Sequence, residues 1–301
     1  MAEKDVTEKT LESYNDVFAD IVNGLLFKGK QVIQEQTLTD AQPFSMYKTD
    51  GNVHEQERDV AKYWNSTLAS KINVRVAFLG FENQSKYEKD MPLRVIGYDG
   101  AAYRAELSQD DRYPVITLVL YFGDEPWGKN RTLYDAIDVP EMFRPFVSDY
   151  KINVFEIAHL PKESVNYFHS DFRIVVDYFV HRRDDPDYRP KDPARFQHVD
   201  EVLKLMAALT GDERFIEILL GEGGKPKDMC EVLDRAEARG EARGEARGEA
   251  RGEARGEARG IEKSRVESIR NIMETLKLTA QQAMDALKIP ANEQSKYLAK
   301  L

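Results

Sequence analysis

The stretch that decides the fold is VRVAFLGFENQS, residues 74–85, a run of apolar and small residues that ends in polar ones. Side chains alternate between the two faces of a β-strand. One face therefore carries Val76, Phe78, Gly80, Glu82 and Gln84. The other face carries Ala77, Leu79 and Phe81. Because both faces are apolar over most of their length, the pattern predicts a central strand that is covered on both sides.

The segments around this strand predict a layered α/β fold. Residues 7–30 and 91–107 place apolar side chains at helical spacing. Residues 113–123 form a second buried strand, residues 149–160 predict another, and residues 29–33 are a candidate short strand. This order of helices and strands favours an α/β fold with a mixed central sheet flanked by helices.

Composition excludes several classes of protein. The chain has 301 residues, 42% of them hydrophobic, and no apolar run approaches the ~20 residues that cross a bilayer. The first residues are charged and lack the apolar stretch of a signal peptide, so we expect a cytoplasmic protein without a membrane partner. The single cysteine, Cys230, excludes an intrachain disulfide and a cysteine-rich zinc cluster.

The net charge of −10 argues against broad electrostatic binding to nucleic acid. Affinity for phosphate groups comes from local lysine and arginine side chains, which can surround an acidic centre in an acidic protein. Net charge alone therefore does not decide whether DNA is a partner.

The C-terminal third changes in character. We expect a core domain over residues 1–200, a helical extension over 201–234, and a small helical unit over 261–301. Between them, residues 235–260 contain the tetrapeptide Glu-Ala-Arg-Gly six times without a break. We expect Glu and Arg on neighbouring turns to pair for ~0.2–0.5 kcal/mol, against up to ~1 kcal/mol for each glycine. The pattern predicts either a solvated linker or a marginal helix.

The polar end of the first strand carries the candidate chemistry. Glu82 and Gln84 project together from a buried strand, and a buried carboxylate is costly unless a cation or hydrogen bonds compensate it. Mg²⁺ is held by one or two carboxylates together with water and phosphate oxygens. Asp59, in the segment ERDVAKYW, is the candidate for a second carboxylate. Such a pair suits phosphodiester hydrolysis.

Four segments in this order resemble one family. The pattern Asp…(Asp/Glu)-x-(Lys or Gln) resembles the PD-(D/E)XK nuclease superfamily. More narrowly, ERDVAKYW, GFENQS, DMPLRVIGYDGAAY and YPVITLVLYFG resemble the recombination-promoting nuclease, or putative transposase, family of bacteria. The resemblance covers most of residues 15–235.

The resemblance implies a Mg²⁺-dependent DNA endonuclease, with Mn²⁺ as a second usable ion, on a restriction-endonuclease-like core. Asp59 and Glu82 would be the metal ligands, and Gln84 would complete the catalytic set in place of the superfamily's usual lysine. An amide orients water but supplies no positive charge. The auxiliary candidates, including sources of that charge, are Asp20, Lys86, Arg94 and Tyr98.

Other interpretations of the same residues remain open. Glu82 pairs with Arg94 in one of them, and Asp59 pairs with Arg58 or Lys62 on the surface. Arg94 and Tyr98, one helical turn apart, either face the site or only pack. The alternative function that goes with these interpretations is a catalytically weak or inactive nuclease-fold protein that acts as a DNA-associated regulatory or assembly factor. We also expect a homo-oligomer, most simply a dimer, which is compatible with either function.

Overall fold

The structure, a computed structural model of the chain, describes residues 9–41, 44–49, 52–67, 73–105 and 112–301. Within these residues the strands are β1 (Leu38–Asp40), β2 (Phe44–Thr49), β3 (Asn52–Glu57), β4 (Val60–Thr67), β5 (Asn73–Gln84), β6 (Val115–Tyr121) and β7 (Asn153–Glu156). The helices are α1 (Asn15–Phe27), α2 (Met91–Ala105), α3 (Leu133–Ala136), α4 (Phe172–Arg182), α5 (Val199–Thr210), α6 (Arg214–Leu220), α7 (Met229–Leu276), α8 (Ala280–Ala286) and α9 (Ala291–Leu298). Residues 9–12 are also helical.

Five strands form a mixed sheet in the order β1-β4-β5-β6-β7. β4 pairs antiparallel with β1 and with β5, whereas β5, β6 and β7 run parallel. Parallel neighbours need a crossover, and α2 makes the one from β5 to β6. β2 and β3 form a separate two-stranded sheet. The predicted α/β fold, with a mixed sheet flanked by helices and followed by a helical region, is confirmed.

Both faces of β5 are covered, as its sequence predicts. Its residues Ala77, Leu79 and Phe81 join α1 and α4 in the main core, where the rings of Phe18 and Phe81 stack with centroids 4.2 Å apart. On the opposite face of the sheet, α2 packs Met91 against the apolar residues of β6. The site at the end of β5 is therefore held between two packed layers.

The strand predicted over residues 29–33 is wrong. α1 ends at Phe27, after which Lys28 and Gly29 adopt positive φ angles of 53° and 84° and turn the chain. The Asn23 side chain then satisfies the following backbone: its Oδ1 accepts the N–H groups of Val32 (3.0 Å) and Ile33 (2.9 Å). These two N–H groups are therefore satisfied without hydrogen bonds to a neighbouring strand.

β4 and α4 are among the elements that have no counterpart in the sequence predictions. The segment with ERDVAKYW contributes β4, which pairs with β5, and residues 172–182 form α4, which is apolar over most of its surface. α4 carries Arg173, Asp177 and His181 four residues apart on one side, so the sequence does contain the amphipathic pattern that predicts this helix.

The chain divides into two compact units, Met1–Ala236 and Glu237–Leu301. α5, α6 and the beginning of α7 contribute to the same apolar core as the sheet, through Val202, Leu203, Leu205, Met206, Phe215, Ile218, Met229 and Val232. Residues 201–234, expected as an extension, thus complete the core of the first unit.

The Glu-Ala-Arg-Gly repeat is helical and lies within α7. Its six glycines face open space, because a Cβ built on any of them meets no atom within 4 Å. The pairing of Glu with Arg between turns stays a prediction, and it cannot use the i,i+4 spacing. A repeat of four residues places Glu237 beside Glu241 and Arg239 beside Arg243 at i,i+4, and like charges at this spacing destabilise a helix.

The second unit has a small core of its own. Ile269, Ala283, Met284, Ile289 and Tyr297 are buried together. Thr279 caps α8 and shares a capping box with Gln282, as the sequence predicts. None of the helices in the described part of the chain is long and apolar enough to cross a membrane.

Two helical glycines provide a matched test of packing in the first unit. A Cβ at Gly24 in α1 would lie 2.5 Å from Cε1 of the buried Phe168 ring, whereas a Cβ at Gly100 in α2 meets nothing within 4 Å. We expect Gly24→Ala to lower the free energy of unfolding by about 1–2 kcal/mol, because overpacking outweighs the gain in helix propensity. Gly100→Ala should raise it by up to about 1 kcal/mol.

Urea unfolding followed by tryptophan fluorescence measures this difference, because Trp64 and Trp127 both lie in the first unit. Equal shifts of the two midpoints in the same direction would contradict the packing described for α1.

Candidate functional site

The antiparallel register of β4 and β5 brings Asp59 to the end of β5. Val60 pairs with Phe81, and the Asp59 N–H donates to the Phe81 carbonyl at 3.1 Å. The Asn83 N–H in turn donates to Asp59 Oδ2 at 2.6 Å. The Asp59 carboxylate is thereby fixed beside the strand segment that carries Glu82, 23 positions further along the chain.

Glu82 is buried, with 2% of its surface exposed, and its two oxygens differ. Oε1 accepts hydrogen bonds from Arg94 Nη2 at 2.5 Å and from the Gln84 amide at 3.1 Å. Oε2 is buried and has no hydrogen-bond partner within the described residues. A buried acceptor without a partner is uncommon and points to a ligand that would occupy it.

The electrostatic surroundings raise the pKa of Glu82 to about 7. Burial is the main cause, because it penalises the charged form, and the nearby negative charge of Asp59 acts in the same direction. Arg94, Lys9 and Arg58 oppose the rise without cancelling it. The two carboxyl groups therefore lie within electrostatic range of each other.

Arg94 and Tyr98, in α2, face this site. Arg94 Nη2 also donates to the Tyr98 hydroxyl at 3.0 Å, so one guanidinium nitrogen contacts both the tyrosine and Glu82. Burial, followed by the charge of Glu82, raises the pKa of Tyr98. The pairing of Glu82 with Arg94, one of the alternatives that the sequence leaves open, is therefore present.

The neighbours of Asp59 along the chain pair with other residues. Arg58 Nη2 lies 2.6 Å from Asp99 Oδ1, and Lys62 Nζ lies 2.5 Å from Asp40 Oδ1. Neither of the surface pairs considered for Asp59 forms, and its carboxylate remains directed to the end of β5.

A buried ion pair connects two of the elements that carry the site. Arg58 and Asp99 are 3% and 4% exposed, and Asp99 also accepts a hydrogen bond from the Tyr150 hydroxyl. The Arg58 side chain crosses the sheet over Gly80, where a Cβ would lie 2.6 Å from Arg58 Cδ. Since Arg58 precedes Asp59 and Asp99 lies in α2, this pair ties the loop before β4 to the helix that carries Arg94.

Lys9 joins the site from the N-terminal helical residues and is missed by the sequence predictions. Its Nζ lies 3.0 Å from Asp59 Oδ1. Leu11 is fully buried in the main core, and the Asn83 amide donates to Glu12 Oε2 at 2.7 Å, which docks residues 9–12 against the end of β5. No motif or spacing in the sequence connects Lys9 with Asp59.

The other two auxiliary candidates, Lys86 and Asp20, do not contact the carboxylates of the site. Lys86 follows β5 on an exposed loop and makes no ion pair with any described residue. Asp20 accepts hydrogen bonds from the backbone N–H of His169 and from the N–H and hydroxyl of Ser170, at 2.7–2.9 Å. Its carboxylate orders the loop before α4 and contacts none of Asp59, Glu82 and Gln84.

The carboxylates of Asp59 and Glu82 suit a hard divalent cation that takes only one or two of its ligands from the protein. Among the described residues no group of three or more His, Cys, Asp or Glu side chains converges as a metal site. Mg²⁺ needs only one or two carboxylates, since water and substrate phosphate complete its shell. Asp59 and the unpartnered Oε2 of Glu82 are the groups here that could hold such an ion.

Comparison with known proteins identifies one family. Residues 63–188 match the family described as "Putative transposase, YhgA-like", which is PD-(D/E)XK-like, and the resemblance deduced from the sequence is confirmed. The matched range includes Glu82, Gln84, Arg94 and Tyr98, whereas Asp59 and Lys9 lie outside it. This family relates the chain to mobile elements and to DNA. No curated protein and no solved structure was found to match.

The raised pKa of Glu82 predicts a pH-dependent stability in the absence of divalent ions. The folded protein holds this proton up to about pH 7, whereas the unfolded chain releases it near 4.5. The wild type therefore loses stability as pH rises between these values. Relative to the wild type, Glu82→Gln should gain on the order of 3 kcal/mol across this window.

Urea unfolding of both proteins at pH 5 and pH 7.5, followed by tryptophan fluorescence, measures this gain. Parallel pH profiles of the two proteins would contradict the burial of an ionisable group at this position.

Proposed function

Since residues 63–188 match the YhgA-like transposases, we propose that this protein is a Mg²⁺-dependent endonuclease that hydrolyses phosphodiester bonds in DNA. The observation that carries the proposal is the buried, unpartnered Oε2 of Glu82 beside the fixed carboxylate of Asp59. A purely structural carboxylate at the end of a buried strand would be expected to have both oxygens hydrogen-bonded.

Asp59 and Glu82 would hold the ion, and Mn²⁺ would serve as well as Mg²⁺ because it also prefers oxygen ligands. When bound, the ion supplies an activated water molecule and stabilises negative charge on the phosphate. The protein's own contribution is to leave one oxygen of Glu82 available. Oε1 is taken by Arg94 and Gln84, whereas Oε2 has no partner among the described residues. Asp59 binds Lys9 through Oδ1 and the Asn83 N–H through Oδ2, so the ion would displace one of these contacts.

Gln84 acts as an orienting residue. Its Nε2 donates to Glu82 Oε1, which fixes the plane of the amide and leaves the amide oxygen as an acceptor. That oxygen can accept a hydrogen bond from the attacking water and align it. It does not remove a proton at neutral pH, so proton transfer passes to solvent or to the phosphate.

Arg94 contributes charge at the rim of the site. Its side chain is 40% exposed, although Nη2 holds Glu82. Guanidinium carries five N–H groups, so Arg94 has further donors for a phosphate oxygen. It would thus contact the DNA backbone and keep Glu82 oriented at once.

DNA is the proposed partner, and a homo-oligomer remains part of the proposal. A single hydrolytic site breaks one strand in each reaction, so two copies of the protein would allow both strands to be cut at one place together. Sedimentation of the full-length protein measures its oligomeric state.

Substitution of either carboxylate tests the proposed activity. We expect the wild type to nick or linearise supercoiled plasmid with Mg²⁺, and Asp59→Asn or Glu82→Gln to lower the rate ~100-fold or more, because each removes a charged metal ligand. Glu125→Gln is the matched control, since Glu125 is exposed and lies on the loop after β6. Cleavage that is equally fast in all three variants would contradict the assignment of the site.

The second candidate function is a nuclease-fold protein of weak or no activity that regulates or assembles on DNA. The neutral side chain of Gln84 at the superfamily's lysine position favours it. Calorimetric titration with Mg²⁺ and Mn²⁺ separates the two functions. Binding that disappears in Asp59→Asn supports the endonuclease, whereas no binding to the wild type supports the regulatory protein.

A further inference from the structure

The proposed endonuclease has a deficit of positive charge at its centre. Asp59 and Glu82 are both acidic, and Gln84 supplies an amide where the superfamily pattern places an ammonium group. Hydrolysis of a phosphodiester adds negative charge to the phosphate oxygens in the transition state, so a cation positioned there accelerates the reaction. The sequence identifies no replacement for the missing lysine beyond Lys86 and Arg94.

The structure brings a different lysine to the carboxylates. Lys9 Nζ lies 3.0 Å from Asp59 Oδ1, and its charge also lowers the pKa of Glu82 against the effect of burial. It therefore lies within electrostatic range of both proposed metal ligands. Its side chain is 36% exposed, so it lies at the surface of the site and not in the core.

The backbone that carries Lys9 is held in place. Leu11 is fully buried in the main core. Glu12 is 1% exposed and accepts a hydrogen bond from the Asn83 side chain, one residue after Glu82. A fixed backbone with a flexible four-carbon stem allows the ammonium group to move from Asp59 to a phosphate without movement of the chain.

Resting on the proposed function, we propose that Lys9 is a further catalytic residue: it contacts the scissile phosphate and supplies the positive charge that Gln84 lacks. The charge reaches the site from a helical segment more than 70 residues before the motif instead of from the strand itself. The substrate group that it recognises is the non-bridging oxygen of a DNA phosphodiester.

The other cations near the site fit this role less well. Arg94 Nη2 is bound to Glu82 Oε1 and to the Tyr98 hydroxyl, so only its remaining donors are left for the phosphate contact proposed above, at the rim of the site. Lys86 lies on the exposed loop after β5 and makes no ion pair or hydrogen bond with any described residue of the site. Within the described chain, Lys9 is the ammonium group that contacts a proposed metal ligand.

The first measurement is plasmid cleavage at saturating Mg²⁺ with Lys9→Gln, Lys9→Arg, Lys86→Gln and Lys30→Gln. We expect Lys9→Gln to lower the rate ~10- to 100-fold, and Lys9→Arg to retain most of it because the charge is kept. Lys30→Gln, an exposed control, should cleave like the wild type. A wild-type rate in Lys9→Gln would overturn the proposal. If Lys9→Gln also cleaves at a lower Mg²⁺ concentration than the wild type does, Lys9 is only a counter-ion that the metal displaces.

The second measurement does not depend on cleavage. DNA binding is titrated against salt with Ca²⁺ replacing Mg²⁺, for the wild type and the same variants. Loss of one phosphate contact in Lys9→Gln should reduce the slope of log K against log salt by about one, with Lys9→Arg unchanged. An unaltered slope in Lys9→Gln, or a wild type that binds no DNA, would overturn the contact. A wild type that binds DNA without cutting it contradicts the nuclease function alone, and the slope still decides the role of Lys9.

Discussion

The hydrogen-bonded register between β4 and β5 is the constraint on which the site depends. Because Val60 pairs with Phe81, the residue before β4 lies beside the residue after Phe81, and a shift of one position would turn Glu82 to the opposite face of the sheet. The Asp59 N–H and carboxylate both bind the β5 backbone, so the register fixes the acid as well as the strand. Two groups that are separate along the chain thus form one acidic centre.

A buried and paired charge beside β4, that of Arg58, supports this register. Arg58, immediately before Asp59, is enclosed by Asp99, by the Thr117 hydroxyl at 3.2 Å, and by the Phe78 ring. An ionised guanidinium in such surroundings is tolerated because it is fully paired. The same helix that supplies Asp99 supplies Arg94, so the interior pair and the exposed pair on Glu82 position one another.

The sequence predicted the elements whose patterns are local. β5 and β6 are long apolar runs, and the pairing of Glu82 with Arg94 is one of the alternatives that the sequence leaves open. β4 was missed, since its polar residues Lys62 and Asn65 disguise a strand whose partners are fixed by tertiary pairing. Lys9 could not have been predicted: its contact with Asp59 depends on how residues 9–12 dock on a distant strand, which no periodicity records.

The enclosed oxygen of Glu82 has a consequence for how such proteins change over time. A carboxylate kept from water without a partner makes the fold less secure than an amide or an apolar residue would. If Glu82 has the proposed role, selection for catalysis retains this weakness. Once that selection ends, substitutions of Glu82 that stabilise the protein become favourable. Descendants that have lost the reaction should therefore be more stable to unfolding. Their substitutions should appear at Glu82 before they appear in the surrounding sheet.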